Sequence, residues 1–171
     1  IWWWYCSADA DEVDRYVKYN YADKVWDYGN MDRTAFIDPS QGAGIERPYA
    51  PDANGVLYQH EEGITADGAS LDFFGESGDI TIDRGVLFQI RKLLPDFKSI
   101  TGSIDVYLKS KNYSRSNAVT KGPYNVSPTD LRKSVRARGR QVSIRFEGNK
   151  ADDSMQLGTT EAQVVASGRR G

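Results

Sequence analysis

The 171-residue chain is poor in the residues that covalent or metal chemistry needs, with one cysteine, one histidine and two methionines. A lone Cys6 forms no internal disulfide, and with a single His60 it falls short of a structural zinc site. A zinc protease needs two histidines one helical turn apart, so that mechanism is excluded within this chain. No Gly-rich loop of the Walker or dinucleotide type occurs, which leaves nucleotide chemistry without support and no cofactor called for. The longest apolar run, Ile1 to Cys6, is six residues, where a spanning helix needs about 20. No basic-then-apolar leader pattern opens the chain. Its first Met is Met31, and residue 1 is an Ile inside an aromatic run. We therefore expect either a processed product or, in preference, the C-terminal piece of a longer protein.

Aromatic residues and charge are what the chain does have. Ten Tyr, six Phe and four Trp accompany 39% hydrophobic and 27% charged residues, a globular composition that is neither disordered nor collagen-like. A chain of this length can bury about two-thirds of its unfolded surface. The formal net charge of −2 hides a division: residues 1–85 carry −11, residues 86–148 carry +9, and the remainder is neutral. Three readings fit such asymmetry: nucleic-acid binding, head-to-tail packing of subunits through an acidic and a basic face, and an unevenly charged solvated surface.

Periodicity predicts an all-β protein. Ile104, Val106 and Leu108 alternate with Asp105, Tyr107 and Lys109, and Val86, Phe88 and Ile90 with Leu87, Gln89 and Arg91, the period of half-buried strands. Turn signals separate such runs at Asp67-Gly68, Asn54-Gly55, Gly122-Pro123 and Pro39 to Gly44. Residues 1–72 read as a β-meander of four to five strands, over Ile1–Cys6, Arg15–Tyr21, Val25–Tyr28, Thr34–Ile37 and Gly55–His60. In Ile-Trp-Trp-Trp-Tyr both alternating faces are aromatic, so this strand is expected to be covered on both sides, as in a propeller blade or a sandwich core. A break is expected around Asp72 to Asp83. Residues 73–171 then read as a small β-sandwich or barrel, with strands near Ile80 and over Val86–Leu94, Ser103–Ser110, Leu131–Arg138, Arg140–Glu147, Ser154–Gly158 and Glu161–Ala166.

The arginine-rich stretch has a parity conflict. Arg136, Arg138 and Arg140 share parity with Val142, Ile144 and Phe146, so an unbroken strand would have one face cationic at one end and apolar at the other. A bulge at Gly139 would flip the parity, placing Val135 and Ala137 with Val142 onward and turning the arginines outward.

Candidate chemistry is sparse. His60 follows Val56 and Tyr58 on one strand face, and without a Gly-x-Ser-x-Gly elbow it is read as a satisfied strand-end histidine rather than a triad base. Asp9, Asp11 and Asp14 miss the EF-hand spacing, since position 5 is Val13 and position 6 is Asp14. The acid-rich first half leaves open a carboxylate pair for glycoside hydrolysis, whose separation in space the sequence does not give. Trp2, Trp3, Trp4 and Tyr5 are read as a buried strand, with a sugar-stacking platform as the alternative. The cluster Arg132, Lys133, Arg136, Arg138, Arg140 and Arg145 is read as a subunit interface pairing with neighbouring carboxylates. Its interleaving with Tyr107, Tyr113 and Tyr124 keeps single-stranded nucleic acid as a lesser alternative.

Ile1-Trp-Trp-Trp-Tyr-Cys-Ser-Ala, Asp14-Arg-Tyr-Val-Lys-Tyr-Asn-Tyr and Val25-Trp-Asp-Tyr-Gly are followed in order by Asp32-Arg-Thr-Ala-Phe-Ile-Asp, Leu57-Tyr-Gln-His-Glu-Glu-Gly, Glu76-Ser-Gly and Leu94-Pro-Asp-Phe. The ending carries Arg136-Ala-Arg-Gly-Arg-Gln, Gln156-Leu-Gly and Gly168-Arg-Arg-Gly. This string resembles the C-terminal portion of tail nozzle or tail stabilisation proteins of short-tailed phages (tail tubular protein B-like), over nearly the whole chain. One departure is Met155-Gln156-Leu157-Gly158, where the family's ending reads with a Trp before Leu-Gly. The resemblance implies a structural virion component without an active site: a six-fold homo-oligomeric ring, built around a β-propeller beneath the tail adaptor, through which DNA passes. It also implies that an acidic half and a basic half meet between subunits. A weaker expectation is a channel wall bearing Asp9, Asp11, Glu12 and Asp14, of the same sign as DNA. The competing class is a carbohydrate-binding or glycan-cleaving β-protein.

Overall fold

The structure is a computed structural model that describes residues 1–38, 44, 46–83 and 85–168. Among them every regular element is a β-strand and every ladder is antiparallel. Among the described residues no helix is long and apolar enough to cross a membrane. The chain divides into two compact units, Ile1–Gly63 and Ile64–Gly171.

In the first unit β1 (Trp2–Tyr5), β2 (Arg15–Asn20) and β3 (Val25–Asn30) form a sheet in the order β1-β2-β3. Its turns are closed by side chains that offer the backbone acceptors. Asp14 accepts from the Ser7 amide at 2.7 Å and the Ser7 hydroxyl at 2.6 Å, fixing the chain between β1 and β2. The Asn20 side-chain carbonyl accepts from the Ala22 amide at 3.1 Å, starting the β2–β3 turn. A short hairpin follows, β4 (Tyr49–Pro51) and β5 (Leu57–Gln59), closed as expected at Asn54-Gly55, where Asp52 accepts from the amides of Asn54 and Val56. Thr34–Ile37 is not a full strand but contributes one bridge, Ile37 to Tyr49. The expected turn at Pro39–Gly44 lies, apart from Gly44, outside the described residues.

The second unit opens on the hairpin of β6 (Thr65–Ala66) and β7 (Ala69–Ser70), turned at Asp67-Gly68 with both residues at positive φ, the two-residue arrangement that Asp-Gly favours. Nine strands follow: β8 (Phe73–Glu76), β9 (Phe88–Leu94), β10 (Phe97–Thr101), β11 (Ile104–Lys111), β12 (Val119–Val126), β13 (Lys133–Gly139), β14 (Gln141–Gly148), β15 (Ser154–Leu157) and β16 (Glu161–Ala166). They form a four-stranded sheet β12-β11-β14-β8, a three-stranded sheet β13-β9-β16 and a pair β10-β15. The buried faces of the two larger sheets feed one hydrophobic cluster: Phe88, Ile90 and Leu93 from β9, Val135 and Ala137 from β13, and the inward residues of β11 and β14. Each of the larger side chains here contributes about 1.5–3 kcal/mol when fully buried, and the Ala137 methyl about 0.8 kcal/mol. Met155, at the position of the sequence departure, packs against this core.

The parity conflict is resolved by a change of sheet. β13 pairs with β9 and ends at Gly139, and β14 starts at Gln141 and pairs with β11 and β8. The single residue between them, Arg140, donates its amide to the Lys111 carbonyl at 2.9 Å. Val135 and Ala137 are buried before the switch and Val142, Ile144 and Phe146 after it, while Arg136 and Arg138 are exposed. Gly139 sits where backbones crowd, since a Cβ there would lie 2.8 Å from the Lys111 carbonyl oxygen and 3.0 Å from that of Gln141.

Besides the short β4, β6 and β7, three strands of four or more residues lie where none was expected. β8 occupies the supposed break after Asp72 and pairs with the end of β14. There the Phe73 ring lies across Gly148, its ladder partner, filling the space a side chain would take, and Tyr16 covers Gly29 in the same way. β10 follows immediately on Pro95-Asp96. β12 runs through Gly122-Pro123, where the register shifts between Val106 and Leu108 and Gly122 packs against the Val106 carbonyl.

Replacing Gly139 by Ala is expected to cost about 1–3 kcal/mol, because two backbone oxygens must move. The same change at exposed Gly78, with nothing within 4 Å of a new Cβ, is expected to stay within about 0.5 kcal/mol. Urea unfolding of the two variants measures the contrast.

Candidate functional site

The two large sheets of the second unit present outer faces of different electrostatic character. On the four-stranded sheet the outward residues of β11 and β14 include three cations, each with an acidic partner. Lys109 donates to Glu76 at 2.6 Å, Arg145 approaches Glu76 at 3.5 Å and Glu147 at 3.0 Å, and Lys111 pairs with Asp79 at 3.1 Å. The Arg145 guanidinium also lies over the Phe74 ring, 3.8 Å from its centre. Glu76 is the hub, placed by the ladder directly opposite Arg145. Lys109 is the main cause that holds its carboxyl below the usual glutamate range, with help from Ser143 and Arg145 and against the opposing effect of burial.

The expected interface cluster is therefore not one patch. Arg145 is engaged as described. Lys133 pairs with Asp130 at 3.3 Å, and Arg140 lies 5.0 Å from the centre of the Tyr113 ring. Arg138 donates to the Ser167 carbonyl at 3.1 Å, and Arg132 is exposed. The guanidinium of Arg136 has no partner among the described residues.

Arg136 stands on the outer face of the three-stranded sheet, beside a residue the sequence reading did not include. Arg91 on β9 is exposed, points away from buried Ile90 and is likewise without a partner among the described residues. The alternation of Gln89 and Arg91 with Phe88 and Ile90 was the signal that could have placed it there. Both arginines line a cleft of about 650 Å³ together with Gln89, Tyr124, Ser134 and Val135. The Tyr124 hydroxyl bonds the Arg136 backbone, accepting from its amide at 3.2 Å and donating to its carbonyl at 3.4 Å. This pins the strand that carries Arg136. No acidic side chain lines the cleft among the described residues. Two guanidinium forks, a hydroxyl and an amide around an open cleft suit a carboxylate or a phosphate, both of which accept paired N–H donors.

In the first unit, β1 and β3 divide their aromatic residues between two faces. Trp2 and Trp4 are half-buried and stack at 5.9 Å, with Trp2 against Tyr16 and Trp4 against Phe36. The opposite face is open: Trp3, Tyr5, Trp26 and Tyr28 are 46%, 43%, 62% and 69% exposed. Trp3 and Trp26 stack there at 5.9 Å and 25°, with Tyr19 against Trp26. The described chain thus covers one side of this strand and not both. His60 accepts from the Arg33 guanidinium at 3.2 Å and lies near the Phe36 ring. Burial, then the Arg33 charge, pushes its imidazole below the usual range, which favours the neutral acceptor form. Of the acids considered for a channel wall, Asp9, Asp11 and Glu12 are exposed on the turn after β1, whereas Asp14 is engaged by Ser7.

No protein-family model matches the chain, and no curated protein matches it.

The Glu76 hub sets an expected acid sensitivity. Its carboxyl titrates below its unfolded value, so it stabilises the native state above the unfolded pKa and loses that contribution as pH falls through the folded pKa. Glu76→Gln is expected to cost about 1–2 kcal/mol at neutral pH, by leaving Lys109 and Arg145 facing each other. It is also expected to flatten part of the decline of stability below pH 5, read by urea melts across pH.

Proposed function

We propose that this chain is a structural component of a phage tail, part of a ring-shaped nozzle or hub around the DNA exit channel. One observation carries the reading: a sheet with aromatic residues on both faces leaves one face open, and contiguous exposed aromatic surface of this kind is what a subunit buries against a neighbour. The ordered likeness to short-tailed-phage nozzle proteins supports it. So does the all-β architecture, in which β1-β2-β3 is read as the closing part of a propeller-like meander, and the two sheets sharing a core as a sandwich. The role needs no catalysis. Asp14 and Asp52 are engaged in turns and Glu76 in ion pairs.

A second reading is favoured by the geometry of the open face. Trp3 and Trp26 lie nearly parallel with Tyr28 exposed alongside, an arrangement on which sugar rings could stack. In that case the protein would bind glycans.

Mass spectrometry of purified virions from the source of this sequence tests the first reading. Peptides of this chain are expected at a stoichiometry of several copies per particle, in a polypeptide that localises to the tail by antibody labelling. Absence from particles, together with retention on immobilised polysaccharide that Trp26→Ala abolishes, would transfer the assignment to the glycan reading.

A further inference from the structure

The cations of the second unit separate into those with partners and those without. Lys109, Lys111, Lys133 and Arg145 are matched by acids of their own unit, within 2.6–3.5 Å. Arg91 and Arg136 are not, although both line a cleft built from two ladder-paired strands and buttressed by Tyr124. Holding two like charges side by side without a counter-ion raises the free energy of the isolated chain, and an incoming anion relieves it.

The acids of the first unit divide in the same way. Asp14, Asp23, Asp27 and Asp52 hold turn or side-chain hydrogen bonds, and Glu62 pairs with Arg47. Asp9, Asp11 and Glu12 are three exposed carboxylates within four residues, on the turn that leaves β1, and have no partner among the described residues. β1 also carries Trp3 and Tyr5 on the open aromatic face. The Arg91–Arg136 pair and the Asp9–Glu12 segment are thus two charged patches of opposite sign without partners among the described residues.

We propose that the Arg91–Arg136 cleft is the receptor for the Asp9–Glu12 segment of a second copy, giving a head-to-tail contact in which each subunit offers one patch and receives the other. The inference rests on the reading of the chain as a self-assembling subunit and names the contact that assembly uses. A contact made by two different patches propagates in one direction and closes only as a ring or continues as a filament. Bidentate arginine–carboxylate pairs fix its register. This placement of the three acids is the alternative to their lining a channel.

Sedimentation velocity and native mass spectrometry of the full chain test it. At low salt the wild-type chain is expected to self-associate, and added salt to weaken the association. Arg91→Glu with Arg136→Glu, and separately Asp9→Lys with Asp11→Lys and Glu12→Lys, are each expected to weaken association at least about tenfold. Mixing the two variants restores it, because each keeps a patch the other has lost. Arg91→Gln with Arg136→Gln, and thermal melts of every variant, separate lost contact from lost folding. A monomeric wild-type chain, variants that associate like wild type, or a mixture without rescue would overturn the proposal. So would intact self-association with loss of binding to a duplex oligonucleotide in the arginine variants, which would make phosphate the ligand. Virion mass spectrometry decides the tail assignment independently of all these outcomes.

Discussion

The two-residue repeat of a β-strand is the constraint on which the rest of this structure depends. Between Lys133 and Gly148 the sequence asks for apolar residues inward and arginines outward, yet its numbering gives both the same parity. A continuous strand could satisfy one demand only. The switch at Gly139-Arg140 satisfies both, by ending one strand and starting the next in another sheet. Once that switch is made, Val135 and Ala137 meet Val142 and Phe146 in one core, and the two sheets are tied together by covalent connection as well as by apolar contact.

The same switch distributes charge. β14 runs beside β8 and β11, where Glu76 and Asp79 stand ready for its neighbours' cations. β13 runs beside β9, whose outward side chains are Gln89 and Arg91. One basic segment of sequence therefore feeds a self-neutralised face and a face that is not neutralised. In the first unit the aromatic residues show a similar division, stacked and half-buried on one side and stacked but open on the other.

Much of this was legible in the sequence, and the failures have physical causes. Perfect alternation announced β11, and the runs over β9, β14, β15 and β16 were readable to within a few residues. β12 was hidden because Gly122-Pro123 is a turn signal by composition, while the structure uses it inside a bulged strand. β8 was hidden by its glycine, whose cost in strand propensity is offset by pairing with β14. The covering of both faces of the tryptophan strand, inferred from hydrophobicity, is met by the described chain on one face only. For the site, sequence gathered the arginines but not their partners. Glu76 lies some seventy residues before Arg145 in the chain, and Arg91 some forty-five before Arg136, so only the pairing of their strands brings each couple together.

β12 is the outermost strand of its sheet, and along it run Lys121, Gly122 and Pro123 with a shift in register. Proline offers no amide hydrogen, the bulge breaks the even row of donors and acceptors, and lysine resists burial. This margin is therefore a poor template for a further strand. Copies of the molecule are steered away from adding backbone to backbone along that side, and with it from the disordered stacking that open sheet edges risk at high local concentration.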